Sequence, residues 1–429
     1  MTAKPILALL LLLAASLGAQ TTPPLTSSVL PPDHPNFDAW RARRFGMFIH
    51  WGPVSIKGTE IGWSRAGERR DRKETAKKGV PAAEYDNLYK QFNPVKFNAD
   101  EWAAVAKDAG MKYIVLIAKH HDGFCMFDSA LTDYKITNTP FKRDVTAELA
   151  AACKKAGLSF GLYYSPPDWH HPDFCTENHA RYIQYLHGQM REILTKYGPI
   201  DVVWFDRTGG VNDAKTWDNP ALFKMVRELQ PQAVVTTRCG GGPHGGKWGD
   251  FDTPEQRVGG FQIDRPWETC MTICQQWAWK PNDKMKSLQQ CLDALIRTSG
   301  GDGNLLFNVG PTPEGLIEPR QVDRLKEMGA WLKVNGESIY GTRGGPWKPA
   351  PQYVSTRKNN KIYLHLLKKV SGPVSLPALP VAIKSAKLLH GPAIKTETKD
   401  GLLSFEIPDK AWDAIDTIVE ITIDGNSMD

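Results

Sequence analysis

Five short apolar runs in this chain each end in side chains that can bind or move a proton. They read Ile49-His50-Trp51, Ala118-Lys119-His120-His121-Asp122, Leu162-Tyr163-Tyr164-Ser165, Trp204-Phe205-Asp206-Arg207 and Thr237-Arg238. One such ending would be ordinary, but five at equivalent places exceed what packing asks for. Asp206 is the sharpest of them. The run Val202-Val203-Trp204-Phe205 before it implies burial, and a buried carboxylate needs neighbours to hold its charge. Aimed into a pocket mouth, such a group is a nucleophile. Its plainer use is to cap the strand or pair with Arg207.

A carboxylate nucleophile that cleaves a glycosidic bond works with a second carboxyl group about 5–5.5 Å away as acid and base. Two residues qualify. Glu255, in Asp252-Thr-Pro-Glu-Gln, sits in a loop where a proton donor can meet both a leaving group and water. Glu268, in Pro266-Trp-Glu-Thr-Cys, opens an apolar segment and suits an ion pair with Arg238 or Arg265 equally well. Glu255 is preferred and Glu268 is the alternative. The His120-His121 pair invites a metal reading, but neighbours on an extended chain point to opposite sides and no further His follows at ligand spacing. Hydrogen bonding to neutral sugar hydroxyls is the expected role, with no metal.

The elements that must position these groups alternate. Strand-like runs at Phe45–Trp51, Tyr113–Ala118, Ser159–Tyr164, Asp201–Phe205, Ala233–Thr237 and Leu305–Val309 are separated by helical stretches such as Ala99–Ala109, Asp144–Ala156, Ala180–Tyr197 and Met285–Thr298. That rhythm predicts parallel strands with crossover helices. Six strands over this length suit a TIM-like (β/α) barrel, whose functional residues gather at the C-terminal strand ends. No G-x-G-x-x-G follows the first strand, so a dinucleotide fold lacks its main signal. The Gly-rich stretches 240–246 and 300–303 lack the Lys-Ser/Thr of a phosphate loop and read as loops.

After Gly341–Pro349 the pattern changes to short runs with partial period two: Lys361–Leu367, Leu402–Ile407 and Thr417–Ile423. They predict a small antiparallel β-sandwich. The division expected is a signal peptide over 1–19, a linker over 20–36, the barrel over 37–345 and the sandwich over 346–429. The leader rests on Lys4, the apolar run Ile6–Ala15 and small residues at 16, 18 and 19, and it implies a secreted or periplasmic protein with no membrane anchor after cleavage.

Charged residues make up 23% of the chain and the net charge is +6, with no basic block or stripe, which argues against nucleic acid. Seven Cys without a C-x-x-C pattern give no disulfide framework. Fourteen Trp is high, and an indole face suits sugar C–H groups as well as a core.

The strings Phe45-Gly-Met-Phe-Ile-His-Trp-Gly, Ala118-Lys-His-His-Asp-Gly-Phe, Gly161-Leu-Tyr-Tyr-Ser, Trp204-Phe-Asp, Trp267-Glu-Thr-Cys-Met-Thr-Ile and Gly303-Asn-Leu-Leu-Phe-Asn-Val-Gly-Pro together resemble family-29 glycoside hydrolases, the α-L-fucosidases. The resemblance runs from about residue 37 to 345. It implies a TIM-like catalytic domain, a C-terminal β-sandwich, a retaining mechanism without cofactor, and a fucosylated oligosaccharide or glycoconjugate as substrate. Position by position it makes Asp206 the nucleophile and Glu255 the better match for the acid/base. His50, Glu60, His120, His121, Tyr163, Trp204 and Arg238 match its fucose-contacting positions. Trp277 resembles an aromatic that packs on the sugar's apolar face, and Trp204 and Trp63 are further candidates for that aromatic side. Arg207 in place of a commoner Gly, and Glu60-Ile-Gly-Trp in place of Glu-Trp, bear on leaving-group preference. The rival expectations are the same machinery on an α-L-galactoside and a carbohydrate-binding protein with weak catalysis; the sequence leaves oligomeric state open.

Overall fold

The computed structural model describes residues 30–31, 33–206, 217–239 and 248–427. The expected leader, most of the linker, Arg207 and the Gly-rich stretch 240–246 lie outside the described residues. Leu30 is buried, and its amide donates to Asp250 Oδ1 at 3.0 Å.

Seven parallel strands form one curled sheet: β1 (Phe45–Ile49), β2 (Tyr113–Lys119), β3 (Ser159–Tyr164), β4 (Val202–Phe205), β5 (Val234–Val235), β6 (Glu268–Thr272) and β7 (Asn304–Val309). Their spatial order is β5-β4-β3-β2-β1-β7-β6. The gap between β5 and β6 is filled by two residues: Phe251 bridges Thr236 and Asp252 bridges Trp267, both in parallel. The ring therefore closes on a sixth-position strand reduced to single bridges, giving the TIM-like barrel that the alternation predicted. Beyond it stand an antiparallel five-stranded sheet and a three-stranded one. They share a core that includes Ile362, Leu364, Leu376, Leu403, Phe405, Val419 and Ile421.

The strands carry apolar residues on both faces because both are covered. Inward residues such as Phe48, Val115, Ile117, Tyr163, Val202, Trp204, Val234 and Leu306 fill the barrel. Outward ones such as Met47, Ile114, Leu116, Leu162, Val203 and Phe307 meet the helices. The crossover helices include Ala99–Asp108, Val145–Ala156, His179–Lys196, Asn219–Leu229 and Leu288–Gly300. Their starts follow from capping chemistry: Asn98 and Asp144 accept first-turn amides, and Ser287 with Gln290 forms a capping box. Gly157 ends the second of them at φ 72°, where a Cβ would be strained.

Two parts of the ring did not show in the sequence pattern. The run Glu268–Thr272 has no apolar stretch, because Glu268 and Cys270 face inward and Thr269 donates to the carbonyl of Pro254. The Phe251–Asp252 segment is too short to leave any period. No helix crosses from Thr253 to Trp267.

Candidate active site

The polar strand ends meet at one rim. Asp206, one residue past β4, has a side chain 13% exposed. Oδ2 accepts from the Tyr163 hydroxyl at 2.8 Å and lies 3.4 Å from His121 Nε2, while Oδ1 receives Arg238 Nη1 at 3.1 Å. Burial alone would push this carboxyl up. The charge of Arg238, then His121 and the Tyr163 hydrogen bond, outweigh it and hold Asp206 below the ordinary carboxylate range. Asp206 is therefore an ionised group in a pocket that excludes most water, which is what a nucleophile requires.

Arg238 is shared. Its Nε donates to Thr253 Oγ1 at 2.7 Å and its Nη2 to the Thr253 carbonyl at 3.0 Å, fixing the guanidinium plane. The same Nη2 lies 3.0 Å from Glu255 Oε2, so one guanidinium joins the two carboxylates. Glu255 has a side chain 43% exposed and is pinned by its backbone: Gln256 N donates to Cys270 O at 2.9 Å, and Cys270 N to Pro254 O at 3.1 Å. A carboxyl group is thus carried to the solvent edge on a rigid segment.

Glu268 is placed elsewhere. It is fully buried, with Oε1 accepting from Trp204 Nε1 at 3.1 Å and Oε2 bonded to the Tyr113 hydroxyl. The ion pairs with Arg238 or Arg265 that its sequence context allowed do not form. Arg238 pairs with Asp206 and Glu255, and Arg265 with Asp252. The alternative acid/base reading fails on geometry, since a group sealed inside the barrel cannot reach a departing oxygen.

The histidines surround Asp206. His120 stacks on Tyr163 at 5.5 Å and 7° between planes, and adjoins His121 at 4.3 Å. Ser165 Oγ donates to the Pro167 carbonyl at 2.6 Å, so the 2.5 Å contact from His121 Nδ1 must be donated by the imidazole. His121 Nε2 is thereby turned to Asp206. A similar chain fixes His50: Asn308 Nδ2 donates to the Trp277 carbonyl at 2.7 Å, leaving Oδ1 to accept from His50 Nδ1 at 2.6 Å. His50 Nε2 is then an acceptor. Burial, and next the neighbouring His120, hold His50 well below the usual histidine range, so it is a neutral hydrogen-bonding group. His120 is depressed for the same two kinds of reason, with His121 as the neighbour. Among the described residues no group of three His, Cys, Asp or Glu side chains could hold a metal ion. All seven cysteines are free.

Trp277 lies 4.7 Å from His50 and 6.0 Å from Phe48, forming the aromatic wall. Glu60 holds that wall: its oxygens accept the amides of Trp277 at 2.9 Å and Ala278 at 3.0 Å. Burial raises its carboxyl despite these amides. Trp63 meets His121 edge-on at 5.5 Å, with Arg69 and Arg72 over its ring at 5.1 and 4.5 Å. Trp204 stacks near Tyr163 at 5.5 Å and carries the Arg238 guanidinium over its ring at 4.8 Å. The candidate site residues His50, Glu60, Trp63, His120, His121, Tyr163, Trp204, Asp206, Arg238, Glu255 and Trp277 thus gather around one rim, and Glu268 does not. Asn308 and Ser165 were passed over, although Asn308 lies in a quoted string and repeats Asn304 at an inward period of four.

The model of the alpha-L-fucosidase family matches residues 13–337. The chain belongs to the alpha-L-fucosidase family. It is 32% identical over 397 residues to the plasma alpha-L-fucosidase of Rattus norvegicus, covering 85% of this chain and 86% of that one. Among solved structures, alpha-L-fucosidase isoenzyme 1 from Paenibacillus thiaminolyticus superposes with a TM-score of 0.82 at 37% identity, over 91% of this chain and 99% of that one. A Bacteroides thetaiotaomicron alpha-L-fucosidase, trapped as a covalent intermediate with 2-fluoro-fucosyl fluoride in a Glu-to-Gln mutant, gives 0.78 at 26% identity, over 91% and 96%. The barrel with its polar rim is thus the fold of a glycoside hydrolase of this alpha-L-fucosidase family.

Proposed function

We propose that the protein is a retaining exo-glycosidase that releases terminal α-L-fucose, with Asp206 as nucleophile and Glu255 as acid/base. The observation that carries this is the bridge by Arg238, which holds an ionised, enclosed carboxylate and a solvent-edge carboxyl on one guanidinium. The sugar would lie with its hydroxyls toward His50, His120, His121 and Arg238, and its apolar side toward Trp277. Tyr163 and Trp204 shape the floor beside Asp206.

Asp206 attacks the anomeric carbon while Glu255 gives its proton to the departing oxygen. Once the covalent bond forms, Asp206 loses its charge. Glu255, left as a carboxylate by that transfer, then takes a proton from the water that releases the sugar from Asp206. The expected leader makes this an exported enzyme, and an N-terminal sequence of the mature protein beginning past residue 19 would support that.

The decisive experiment compares leaving groups. Glu255→Ala should cripple hydrolysis of fucosylated glycans, whose leaving oxygen needs a proton, and largely spare fucosyl transfer from an activated aryl fucoside. Azide, which needs no deprotonation, should then rescue turnover. Equal losses on both substrates without azide rescue would remove Glu255 from the acid/base role.

A further inference from the structure

Round the ring, Asp206 ends β4, Arg238 follows β5, Glu255 follows the bridging sixth segment and Thr272 ends β6. Nucleophile and leaving group lie on opposite sides of the anomeric carbon. A group that leaves past Glu255 is therefore carried round the ring toward the end of β6. A cavity of about 300 Å³ opens there, beside the start of the helix Leu288–Gly300. Gln256, the residue after Glu255, forms one side of it. Gln275, two residues before the aromatic wall of Trp277, forms another, and Lys284 a third.

These walls are fixed by their own hydrogen bonds. Buried Asp283 accepts the amides of Gln275 and Gln276 through Oδ2 and that of Lys284 through Oδ1, all at 2.9 Å. The same loop runs on into Trp277, whose amide Glu60 holds. Gln256 stands at φ 53°, a left-handed conformation that a residue with a side chain adopts only at a cost. Its own amide secures that turn. Oε1 accepts from Thr272 N at 3.3 Å, and Nε2 donates to Thr272 Oγ1 at 3.2 Å. The Thr272 hydroxyl proton goes on to the Cys274 carbonyl at 2.5 Å.

What the walls leave open is a set of polar groups. Gln256 Nε2 keeps a second hydrogen. The Gln275 side-chain amide and the Lys284 ammonium have no partner among the described residues. Lys286 Nζ, by contrast, is engaged by the carbonyls of Thr272 and Cys274. Neither a carboxylate nor an aromatic ring lines the cavity. A flat aryl group finds no face to stack on, and a cation finds no counter-charge. The hydroxyl and ring oxygens of a saccharide meet donors on three sides, and Gln275 Oε1 can accept from a hydroxyl. We propose that this cavity is the subsite for a leaving saccharide, with Gln275 and Lys284 as specificity-determining residues that favour oligosaccharide over small or hydrophobic leaving groups. The inference rests on the reading of Asp206 and Glu255 as the catalytic pair.

The test sets an oligosaccharide against an aryl fucoside, using the full chain. The oligosaccharide is the fucosyllactose isomer, with fucose on the galactose or on the glucose, that the unmodified enzyme cleaves faster. Combining Gln275→Ala with Lys284→Ala should lower kcat/KM on it by about 10-fold, mainly through KM. The aryl fucoside has nothing to place in the cavity, so its kcat/KM should stay within about twofold. Gln275→Trp, which fills the cavity, should give the same split. Equal losses on both substrates, or no loss on either, overturn the proposal. So does an unmodified enzyme that cleaves the aryl fucoside and neither fucosyllactose. A second arm needs no turnover: saturation-transfer NMR with lactose should show contact with the unmodified chain and lose it in the double variant. If no fucoside of any kind is cleaved, the proposed function fails. The lactose signal then decides by itself whether the cavity holds a saccharide, and its absence would overturn the subsite.

Discussion

Asp206 and Glu268 are both carboxyl groups enclosed by the barrel, and Trp204 lies between their surroundings. At the rim, Asp206 has a guanidinium, an imidazole edge and a phenol turned toward it, and the fold keeps it ionised. At the floor, Glu268 has a phenol and an indole, neither of them charged, and burial pushes it up to about 8. Burial opposes charge in both places. What differs is whether a cation has been delivered to the site, and that depends on which strand end supplies Arg238. Enclosure by itself is therefore a poor guide to a nucleophile; enclosure with a fixed cation is a good one.

The same change of carboxyl to amide should have opposite consequences at the two levels. At Asp206, under the proposed role, it removes both nucleophile and charge, so Asp206→Asn should lose about 10⁴-fold in kcat on an aryl fucoside while the circular dichroism spectrum is kept. A near-normal rate would refute the assignment. A smaller effect is expected where the floor is wedged open: Gly46→Ala drives a methyl into the Tyr113 ring and should destabilise the fold by about 1–3 kcal/mol. An unchanged Tm would mean that Tyr113 does not cross at Gly46. The smallest effect is a slope. Glu268 binds its proton more tightly folded, up to about 8, than an ordinary glutamate at 4.5. Between those values the unfolded chain has released a proton that the folded one retains, so this group makes stability fall as pH rises. Glu268→Gln removes the contribution, and its Tm should decline less steeply than that of the unmodified protein from about pH 4.5 to about 8. Parallel declines would say that Glu268 ionises normally. For Asp206 the sign is reversed: its contribution is present above the ordinary aspartate range and is lost only in strong acid.

The rim could be read from the sequence because its residues follow apolar runs directly. His50, His120, Asp206 and Arg238 each end such a run, and a barrel puts all those ends on one side. The floor could not. Glu268 sits at a strand start, and the hydroxyl that meets it, that of Tyr113, is 155 residues away and crosses an intervening strand. Nothing in local periodicity records such a crossing. Glu268 looked like a candidate acid because its type was right, but its reach is a property of the closed ring. The strand carrying it was missed for the same reason: its inward positions are polar or small, so it lacks the apolar run that marks the others. Residues that hold others in place, such as Asn308 and Ser165, share this difficulty, since their role appears only once the protons are counted around a ring.

The helix-free crossover from Thr253 to Trp267 has a consequence for how such an enzyme can diversify. Asp206 and its histidines stand on strands joined by crossover helices, whereas Glu255 is carried on a crossover that has none, on the side where the proposed mechanism puts the leaving group. Lengthening a loop costs only about 0.6 kcal/mol per doubling, so insertions after Gln256 are tolerable without disturbing the strand that ends at Asp206. Under the proposed roles, descendants of this chain can therefore exchange the group they release while inheriting the sugar they hold.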